Sequence, residues 1–349
     1  MVLRLRDRGR VGRRRHLLVL LRTAHKTPAP QRLGFCAFYP VFPDHLTTRL
    51  LLMTTRAGFV TVAGRPNAGK STLLNRLVGQ HLAITSPKPQ STRDRVVGII
   101  SDDDSQIILF DTPGLLEPRY ELQRSMHGAA RKALEEADVI VHLIDASEGL
   151  QPEHLATAVN GNGARDFRAP IILVFNKVDA LTPERLTALR VEFPEAAMIS
   201  AKTGEGIKFL LKTVRKMLPE SPFLYDAEDV STQQMRFFVA EMVRECALEQ
   251  LDDEVPYSVA CEIEEFRETG TPVYIRAVLH VERDSQKQIL IGAGGARIKA
   301  IGKDARRKIE PLVGGPVYLD LWVKVLSNWR RNPNSLRRLG YDLPDERKS

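Results

Sequence analysis

The chain has 349 residues, of which 43% are hydrophobic and 27% are charged. These values are ordinary for a globular protein and leave room for about two domains. No apolar run approaches the roughly 18 residues that a membrane-spanning helix requires. The three cysteines (Cys36, Cys246 and Cys261) form neither a close pair nor a metal-ligand spacing, and none of the eight histidines falls in a metal-binding motif. We therefore expect neither a disulfide framework nor a zinc site.

The net charge of +8 is concentrated in the first 52 residues. That segment holds eleven Lys or Arg and two acids, so it contributes 11 − 2 = +9 and leaves 8 − 9 = −1 for the rest of the chain. A basic surface spread over the whole protein is therefore excluded. Two proline clusters and the lack of a periodic hydrophobic pattern predict disorder here. Either the residues before Met53 belong to an over-extended gene start, which we favour, or they form a mitochondrial transit peptide.

The strongest motif lies at residues 64–71, Gly-Arg-Pro-Asn-Ala-Gly-Lys-Ser. It follows a short strand-like run at 59–63 and precedes a segment of helical character, which is the context of a phosphate-binding P-loop. The glycines let backbone N–H groups surround a phosphate, and the N-terminus of the following helix adds its positive dipole. Lys70 is expected to neutralise charge on the β- and γ-phosphates, and the Ser71 hydroxyl to join the Mg²⁺ shell.

The segment 111–114, Asp-Thr-Pro-Gly, closes another predicted strand. A carboxylate at a strand end beside the phosphates can reach Mg²⁺ through water, and the Gly114 N–H can then sense the γ-phosphate. Thr92, on the loop before this strand, is our candidate for a threonine that ligates Mg²⁺ only in the GTP state, with Thr85 and Ser91 as rivals. The predicted Mg²⁺ ligands are Ser71, Thr92 and Asp111.

The base-recognition segments are 176–179, Asn-Lys-Val-Asp, and 200–202, Ser-Ala-Lys. Asp179 can accept hydrogen bonds from guanine N1–H and N2–H₂, donors that adenine lacks, so this segment favours GTP over ATP. Asn176 is expected to tie this loop to the P-loop, and the Ala201 N–H is suited to guanine O6. The predicted nucleotide-binding residues are Gly64, Arg65, Pro66, Asn67, Ala68, Gly69, Lys70, Ser71, Asp111, Thr112, Pro113, Gly114, Asn176, Lys177, Val178, Asp179, Ser200, Ala201 and Lys202.

Two residues set the expectations for catalysis. Leu115 stands where Ras-like enzymes have a glutamine that orients the attacking water, so we expect slow intrinsic hydrolysis. Asn67, inside the P-loop, either caps the loop or holds a monovalent cation such as K⁺ against the phosphates, where the ion would replace a missing positive charge. The predicted catalytic residues are Lys70, Thr92, Gly114 and Asn67, and the predicted cofactors are GTP or GDP, Mg²⁺ and, in the second interpretation of Asn67, K⁺.

The chain changes character after a linker signal at 219–222, Pro-Glu-Ser-Pro. The elements predicted beyond it are a helix at 237–251, strands at 257–266, 273–281 and 317–325, and two helices separated by a glycine loop at 292–295. A helix, a GxxG loop and a second helix in a small α/β domain are typical of a KH domain, whose glycines let single-stranded RNA lie close to the backbone. The second helix is rich in Lys and Arg, which favours phosphate contact. The predicted RNA-binding residues are Gly292, Ala293, Gly294, Gly295, Arg297, Lys299 and Lys303.

Over residues 57–343 the chain resembles the Era family of bacterial GTPases. The motifs GRPNAGKSTLLN, PQSTRD, DTPG, NKVD and SAK are shared by many GTPases, whereas IGAGGARIKAIG and LWVKVLSNWRRNPNSLRRLGY are specific to the family. The resemblance implies an α/β fold: a P-loop NTPase domain with a mostly parallel sheet, followed by an α+β type II KH domain. The expected parts are a disordered basic extension at 1–52, a GTPase domain at 57–219, a linker at 220–230, a KH domain at 231–330 and a C-terminal tail at 331–349.

The resemblance also implies a function. Era-type proteins are GTP-hydrolysing switches that bind 16S rRNA near its 3′ end and act in 30S subunit biogenesis and rRNA processing. We expect a monomer in the cytoplasm with peripheral contact to the inner membrane, or a mitochondrial protein if residues 1–52 are a transit peptide. One position departs from the family: Ala293 stands where a basic residue is common, so we expect a weaker phosphate contact there.

Three other classes fit the sequence less well. A tRNA-modifying GTPase needs an extra catalytic domain and a reactive cysteine, and neither is visible in this sequence. Double-GTPase assembly factors need a second GKS and a second NKxD, and the chain has one of each. An RNA-binding adaptor with a degenerate nucleotide site is disfavoured because all four nucleotide elements are intact. The sequence therefore favours a ribosome-assembly GTPase.

Overall fold

The computed structural model describes residues 2–4, 55–115, 117–148 and 167–343, and these fall in one compact unit. Within the predicted disordered extension, the described part is β1 (Val2–Arg4). It pairs antiparallel with a strand from the middle of the chain, Asp229–Gln234. The rest of that extension and the end of the predicted C-terminal tail lie outside the described residues.

A six-stranded sheet organises the N-terminal half, residues 55–222. Its strands are β2 (Arg56–Ala63), β3 (Val96–Ser101), β4 (Ser105–Asp111), β5 (Val139–Asp145), β6 (Ile171–Asn176) and β7 (Ala197–Met198). Their spatial order is β3-β4-β2-β5-β6-β7. Neighbouring strands run parallel except β3, which lies antiparallel to β4 at one edge. The apolar runs of β2, β4 and β5 are buried, as in a parallel sheet with helices between its strands.

The helices of the N-terminal half are α1 (Lys70–Val78), α2 (Glu121–Glu135), α3 (Pro183–Glu192) and α4 (Ile207–Met217). Crossovers between parallel strands bring all their carboxyl ends to one edge of the sheet. Strands β2, β4 and β6 end at Ala63, Asp111 and Asn176. The three predicted nucleotide motifs therefore share this edge because of the sheet topology.

The C-terminal half, residues 229–343, is an α+β arrangement. Its elements are β8 (Asp229–Gln234), α5 (Met235–Gln250), α6 (Val255–Ser258), β9 (Ala260–Arg267), β10 (Val273–Val281), α7 (Asp284–Ile291), α8 (Ala296–Val313), β11 (Val317–Val325) and α9 (Pro333–Arg338). The three-stranded sheet has the order β11-β10-β9, with β10 parallel to β11 and antiparallel to β9. The predicted fold class, a mostly parallel P-loop sheet followed by an α+β part, is confirmed.

One strand boundary differs from the sequence prediction. We expected a strand from 257, but residues Val255–Ser258 form the short helix α6 and the strand begins at Ala260. The alternation of apolar residues did not show this turn. Pro256 occupies the first turn of α6, a position that suits proline because the N–H it lacks would have no partner there.

Helix α5 joins the two halves into a continuous core. Phe238, Val239, Val243 and Cys246 are fully buried and belong to the same hydrophobic cluster as Val62 and Leu74 of the other half, together with further residues of both sheets. Buried residues occur on all sides of the second half of this helix, which is typical of a helix enclosed by protein rather than one lying on the surface. Among the described residues, no helix is long and apolar enough to span a membrane.

The predicted linker at 220–230 follows the N-terminal half closely. The Ser221 N–H donates to Thr55 O at 3.0 Å. The Gln106 side-chain carbonyl accepts from the backbone N–H groups of Leu224 and Tyr225 at 2.8 and 2.9 Å. The start of this stretch, up to Tyr225, is therefore held on the N-terminal half by hydrogen bonds of its backbone N–H groups.

The start of the predicted C-terminal tail is an ordered part of the fold. Trp329 is fully buried and its Nε1–H donates to Ser258 O at 2.8 Å. Its ring stacks on Tyr341 at a centroid distance of 6.1 Å. Helix α9 begins at Pro333 behind the side-chain cap of Asn332. A buried aromatic ring with a satisfied N–H stabilises the segment that follows the last strand of the sheet, β11.

We predict that Trp329→Ala lowers the free energy of unfolding by about 3–5 kcal/mol, the usual cost of emptying a buried aromatic site. Trp322→Ala is the matched control because that indole is 53% exposed and its loss should cost less than about 1 kcal/mol. Urea unfolding followed by circular dichroism measures both. Equal losses in the two variants would show that Trp329 does not anchor this segment.

Candidate nucleotide and RNA sites

The P-loop has the backbone shape that a phosphate requires. Gly69 has φ of +94°, and a Cβ there would lie 2.3 Å from Asn176 Nδ2. A Cβ on Gly64 would lie 2.2 Å from the carbonyl oxygen of Leu143. Larger residues are therefore excluded at both positions, by strain at Gly69 and by a backbone collision at Gly64. The two glycines of the motif are explained by the close packing of the P-loop against Leu143 of β5 and Asn176 at the end of β6.

Lys70 lies at the centre of this loop. Its Nζ donates to the carbonyl oxygens of Gly64 and Arg65 at 3.1 and 2.8 Å. Burial lowers the pKa of Lys70 to about 8, although Asp111 acts in the opposite direction. The side chain is thus a poorly solvated cation whose present partners are neutral carbonyl groups. An anion such as a phosphate would stabilise its charge.

The three predicted Mg²⁺ ligands come together around one carboxylate. Ser71 Oγ donates to Asp111 Oδ2 at 2.7 Å, and Thr92 Oγ1 donates to the same oxygen at 3.3 Å. The two hydroxyl oxygens are 3.0 Å apart. Asp111 Oδ1 is buried and has no hydrogen-bond partner, and burial raises the pKa of this carboxyl against the effect of Lys70. Hydroxyl and carboxylate oxygens in this number fit Mg²⁺, and an orphaned buried oxygen fits a cation or its bound water.

The structure distinguishes Thr92 from its rivals by position. Thr92 is buried beside Asp111, whereas Thr85 is exposed and its N–H donates to Glu245 Oε1 at 2.9 Å. Ser91 accepts a hydrogen bond from Arg244 Nη2 on its backbone carbonyl at 2.5 Å. Of the three candidates, the hydroxyl that lies near the predicted ligands is that of Thr92.

The structure shows the surroundings of Leu115 and Asn67, the two residues on which the expectations for catalysis depend. Leu115 is buried in an apolar cluster with Ala130, Leu134 and Ile140. Its side chain has no polar group and points into the core, so it cannot orient a water molecule. Asn67 has φ of +63° and its Nδ2 donates to Pro87 O at 3.0 Å. Asn67 therefore caps the facing loop in this structure.

Asn176 ties the base-recognition loop to the P-loop as expected. Its Nδ2 donates to Ala68 O at 2.8 Å, and its Oδ1 accepts from the Ala201 N–H at 2.9 Å. The Ala201 N–H, which we expected to face guanine O6, thus has a partner within the protein. Asp179 is exposed at the end of this loop.

Asp145 is a site residue that the sequence analysis missed. It ends β5, is buried, and pairs with Lys177 Nζ. It also accepts from the N–H and hydroxyl of Ser147 at 3.0 and 2.6 Å. This ion pair fixes Lys177, one of the predicted nucleotide-binding residues. The signal that could have revealed it is a carboxylate at the end of a buried strand, the same signal that identified Asp111.

A single cavity of about 490 Å³ unites these segments. Its walls come from the P-loop, the loop before β3 and the base-recognition loop; the lining residues are Pro66, Asn67, Gly69, Lys70, Ser71, Thr72, Ile84, Thr85, Ser86, Pro87, Gln90, Ser91, Thr92, Gly114, Glu148 and Lys177. Gly114 packs so closely on Pro66 that a Cβ would lie 2.7 Å from it. The structure thus brings at least one member of each phosphate and base motif except 200–202 to one cavity.

The predicted RNA-binding loop lies between α7 and α8. Gly292, Gly294 and Gly295 have φ values of +74°, +58° and +77°, and a Cβ on Gly292 would lie 2.9 Å from Arg297 Cβ. Ala293 is exposed between them. A groove of about 400 Å³ lies between β11 and α8, the helix that follows this loop; its lining residues are Ile298, Lys299, Gly302, Lys303, Arg306, Leu319 and Leu321. An apolar floor with basic walls suits bases and phosphates together.

The basic residues of α8 do not all face this groove. Lys299 and Lys303 line it, whereas Arg297 Nη1 donates to Ile289 O at 3.2 Å. Lys308 binds Glu245 Oε2 and Glu249 Oε1 at 2.9 and 2.8 Å. The helix therefore divides its positive charge between a face that lines the groove and a face turned to α5.

Comparison with known proteins agrees with this geometry. Residues 59–177 match the family described as 50S ribosome-binding GTPase, and residues 254–330 match the KH domain family. The GTPase Era of Lactobacillus delbrueckii subsp. bulgaricus is 40% identical over 294 residues, which cover 82% of this chain and 96% of that protein. The chain belongs to the Era family of GTPases. It therefore hydrolyses GTP.

Other Era proteins give the same result. The GTPase Era of Heliobacterium modesticaldum is 40% identical over 296 residues, or 82% of this chain and 97% of that protein. A crystal structure of an Aquifex aeolicus Era variant bound to GDP·AlF₄⁻ has a TM-score of 0.76 and 39% identity, covering 83% of this chain and all of that one. A structure of Era with MgGDPNP and nucleotides 1506–1542 of 16S ribosomal RNA matches with the same TM-score, identity and coverage.

We predict that nucleotide binding at pH 8.5 is accompanied by proton uptake. With a pKa of about 8, Lys70 is mostly neutral in the free protein at that pH, and the phosphates restore its charge. The affinity for GDP should then fall by up to about tenfold per pH unit above pH 8. Calorimetric titration with GDP in two buffers of different ionisation enthalpy measures the uptake.

The control is the same titration at pH 7, where Lys70 is already charged and the uptake should be small. Equal proton uptake at the two pH values would contradict the assignment to Lys70.

Proposed function

We propose that this Era-family GTPase binds 16S rRNA near its 3′ end and acts in 30S subunit biogenesis and rRNA processing. The observation that carries the proposal is the presence of two sites in one compact unit: the nucleotide cavity at Lys70 and the groove beside Gly292–Gly295. A related Era structure holds MgGDPNP and an rRNA fragment together, which supports the same pair of ligands here. The proposed domain boundaries are those given above, 57–219 and 231–330.

In the nucleotide cavity the chain's own residues bind and orient the phosphates. Gly64 and Gly69 allow backbone N–H groups to face the β-phosphate, and Lys70 exchanges its two carbonyl partners for phosphate oxygens. We propose that Ser71, Thr92 and Asp111 hold Mg²⁺, which neutralises charge that develops on the phosphates when it is bound. The Thr92 hydroxyl already lies beside Asp111, but it ligates Mg²⁺ only when the γ-phosphate is present, and this makes Thr92 a sensor of GTP.

Hydrolysis is slow in this proposal because Leu115 offers no polar group to the attacking water. Asn67 is proposed to exchange its contact with Pro87 O for a monovalent cation, K⁺, when nucleotide binds. Such a cation would supply positive charge beside the phosphates. The Gly114 N–H reports the γ-phosphate from the other side of the cavity.

Asp179 gives the proposed specificity for guanine. Its exposed carboxylate can accept from guanine N1–H and N2–H₂, and adenine would leave it without donors. Because the Ala201 N–H donates to Asn176, guanine O6 must share that N–H or use another donor in the 200–202 segment. Lys177, fixed by Asp145, presents its aliphatic stem to the base plane.

At the RNA groove, the glycine loop lets the RNA backbone approach, while Lys299 and Lys303 bind phosphates. We propose a monomer in the cytoplasm that contacts the inner membrane peripherally. A mitochondrial location is the alternative if residues 1–52 are a transit peptide. In either compartment the switch controls capture and release of a single-stranded rRNA end.

We predict that an RNA carrying the 3′ end of 16S rRNA binds the full chain and changes its rate of GTP turnover. Gly294→Asp should weaken RNA binding by about tenfold or more, because it places a carboxylate in the phosphate path. A side chain at Gly294 meets no neighbour, since nothing lies within 4 Å of a Cβ there, but the φ of +58° strains any residue that has a Cβ. Gly79→Asp is the matched control: it has a similar φ of +75° and open space, but lies at the end of α1.

Fluorescence anisotropy gives the affinity, and phosphate release gives the turnover. No RNA binding by the unmodified chain, or equal losses in Gly294→Asp and Gly79→Asp, would refute the proposed RNA site. RNA binding without any change in turnover would refute coupling between the sites.

A substitution at Ala293 is predicted to strengthen RNA binding, whereas Gly294→Asp weakens it. Ala293→Lys should tighten RNA binding, because it adds a cation at an exposed position of the loop. The slope of log affinity against log salt should become steeper by about 0.7, the value for one added phosphate contact with a single strand. Titrations at several KCl concentrations measure this slope. An unchanged slope would show that the loop does not meet an RNA phosphate at this position.

A further inference from the structure

The loop that carries Thr92 is held from the C-terminal half of the protein. We refer to residues 81–93 as the switch segment. The Ser91 carbonyl accepts from Arg244 Nη2 at 2.5 Å. On the other side of Thr92, the Arg93 guanidinium donates to Val259 O and Tyr257 O at 2.7 and 2.9 Å. Both neighbours of Thr92 are therefore anchored to residues more than 150 positions away in the chain.

Arg244 is fixed before it reaches the switch segment. Its side chain is 1% exposed, and its Nε and Nη2 donate to the two carboxylate oxygens of Glu241 at 2.8 and 2.5 Å. The bidentate pair orients the planar guanidinium, so one of its N–H groups points at the Ser91 carbonyl. Helix α5, which carries both residues, is enclosed by the two halves and has little freedom to move.

Further contacts along the switch segment come from the same helix and the residue after it. The Thr85 N–H donates to Glu245 Oε1 at 2.9 Å. Lys88 Nζ donates to Leu248 O at 2.7 Å and also contacts Leu251 O. Residues 85–91 of the segment therefore contact the last two turns of α5 and the residue after it.

We propose that Arg244 is a positioning residue for GTP hydrolysis: it holds the Ser91 carbonyl and thereby sets the Thr92 hydroxyl against Ser71 and Asp111. The proposal rests on the proposed role of Thr92 in the Mg²⁺ shell. The physical reason is entropic. A threonine on a surface loop must lose backbone freedom each time it reaches the metal site, and anchors on both sides remove that cost in advance. The C-terminal half thus completes the GTPase site.

A positioning role for Arg244 predicts different results from a role that only stabilises the fold. A structural residue would change the binding of GDP and GTP alike. A residue that positions Thr92 affects the state in which Thr92 acts, so its loss should leave GDP affinity unchanged. The loss should also raise the Mg²⁺ concentration needed for GTP hydrolysis.

The experiment is a double-mutant cycle in the full chain with Arg244→Gln, Thr92→Ala and the combined variant. Arg236→Gln is the matched control, because Arg236 is on the same helix but donates to Ile263 O in its own half. Single-turnover GTP hydrolysis is measured across a Mg²⁺ titration, and GDP affinity is measured separately. We expect Arg244→Gln to lower the rate at limiting Mg²⁺ by about tenfold, the effect of one hydrogen bond to a charged group.

The decisive result is non-additivity. If Arg244 acts through Thr92, Arg244→Gln should have no further effect on hydrolysis in the Thr92→Ala background. GDP affinity should stay within about twofold of the unmodified chain, as should every value for Arg236→Gln. Additive effects, or a parallel loss of GDP and GTP binding, would overturn the proposal. If Thr92→Ala alone changed neither the rate nor the Mg²⁺ dependence, the role of Thr92 in the proposed function would fail instead.

Lys88→Met provides a second variant if Arg244→Gln does not fold. Lys88 is partly exposed, and its loss removes another anchor of the switch segment while leaving the core of α5 intact. It should change the Mg²⁺ dependence in the same direction by about two- to fivefold, because its two hydrogen bonds, to Leu248 O and Leu251 O, are partly exposed and lie further from Thr92 in the chain. An unchanged Mg²⁺ dependence in Lys88→Met would show that the C-terminal half does not position Thr92.

Discussion

Helix α5 packs against both halves of the protein, and the position of one half on the other depends on this packing. Its apolar residues belong to the core that also contains β2 and α1, so the GTPase sheet and the three-stranded sheet cannot separate without exposing it. Burial of apolar surface provides most of the stability of a contact between two parts of a protein core. The polar residues Arg244 and Glu245 are buried within the same contact. Each is paired, because an unpaired buried charge would be strongly destabilising.

The nucleotide site also contains buried charges that need partners. Lys70 and Asp111 are buried charges of opposite sign, with pKa values shifted by burial in opposite directions. Their carbonyl and hydroxyl partners stabilise them only in part, and Asp111 Oδ1 has none. A site that is incompletely satisfied within the protein gains free energy when phosphate and a cation complete it. The affinity for nucleotide and metal thus has its origin in polar groups that the fold keeps from water.

Helix α8 connects the nucleotide site to the groove that we propose for RNA. Lys299 and Lys303 line the groove, while Lys308, on the same helix, binds Glu245. Glu245 is buried and also accepts from the Thr85 N–H and contacts His81. One carboxylate therefore touches both the switch segment and the helix that follows the glycine loop. A shift of the switch segment or of α8 would change a hydrogen bond to the buried Glu245 carboxylate. Hydrogen bonds to a charged group are stronger than those between neutral groups.

The sequence by itself determined the fold class, the P-loop, the guanine-recognition loop and the glycine loop, because each depends on short-range backbone geometry and on residues a few positions apart. It left Thr85, Ser91 and Thr92 as alternatives for one role. Only the tertiary structure separated them, since the position of the Thr92 hydroxyl depends on anchors far away in the chain. The pairing of Lys308 with Glu245 and the burial of Trp329 were likewise decided by packing between distant segments, which no local pattern encodes.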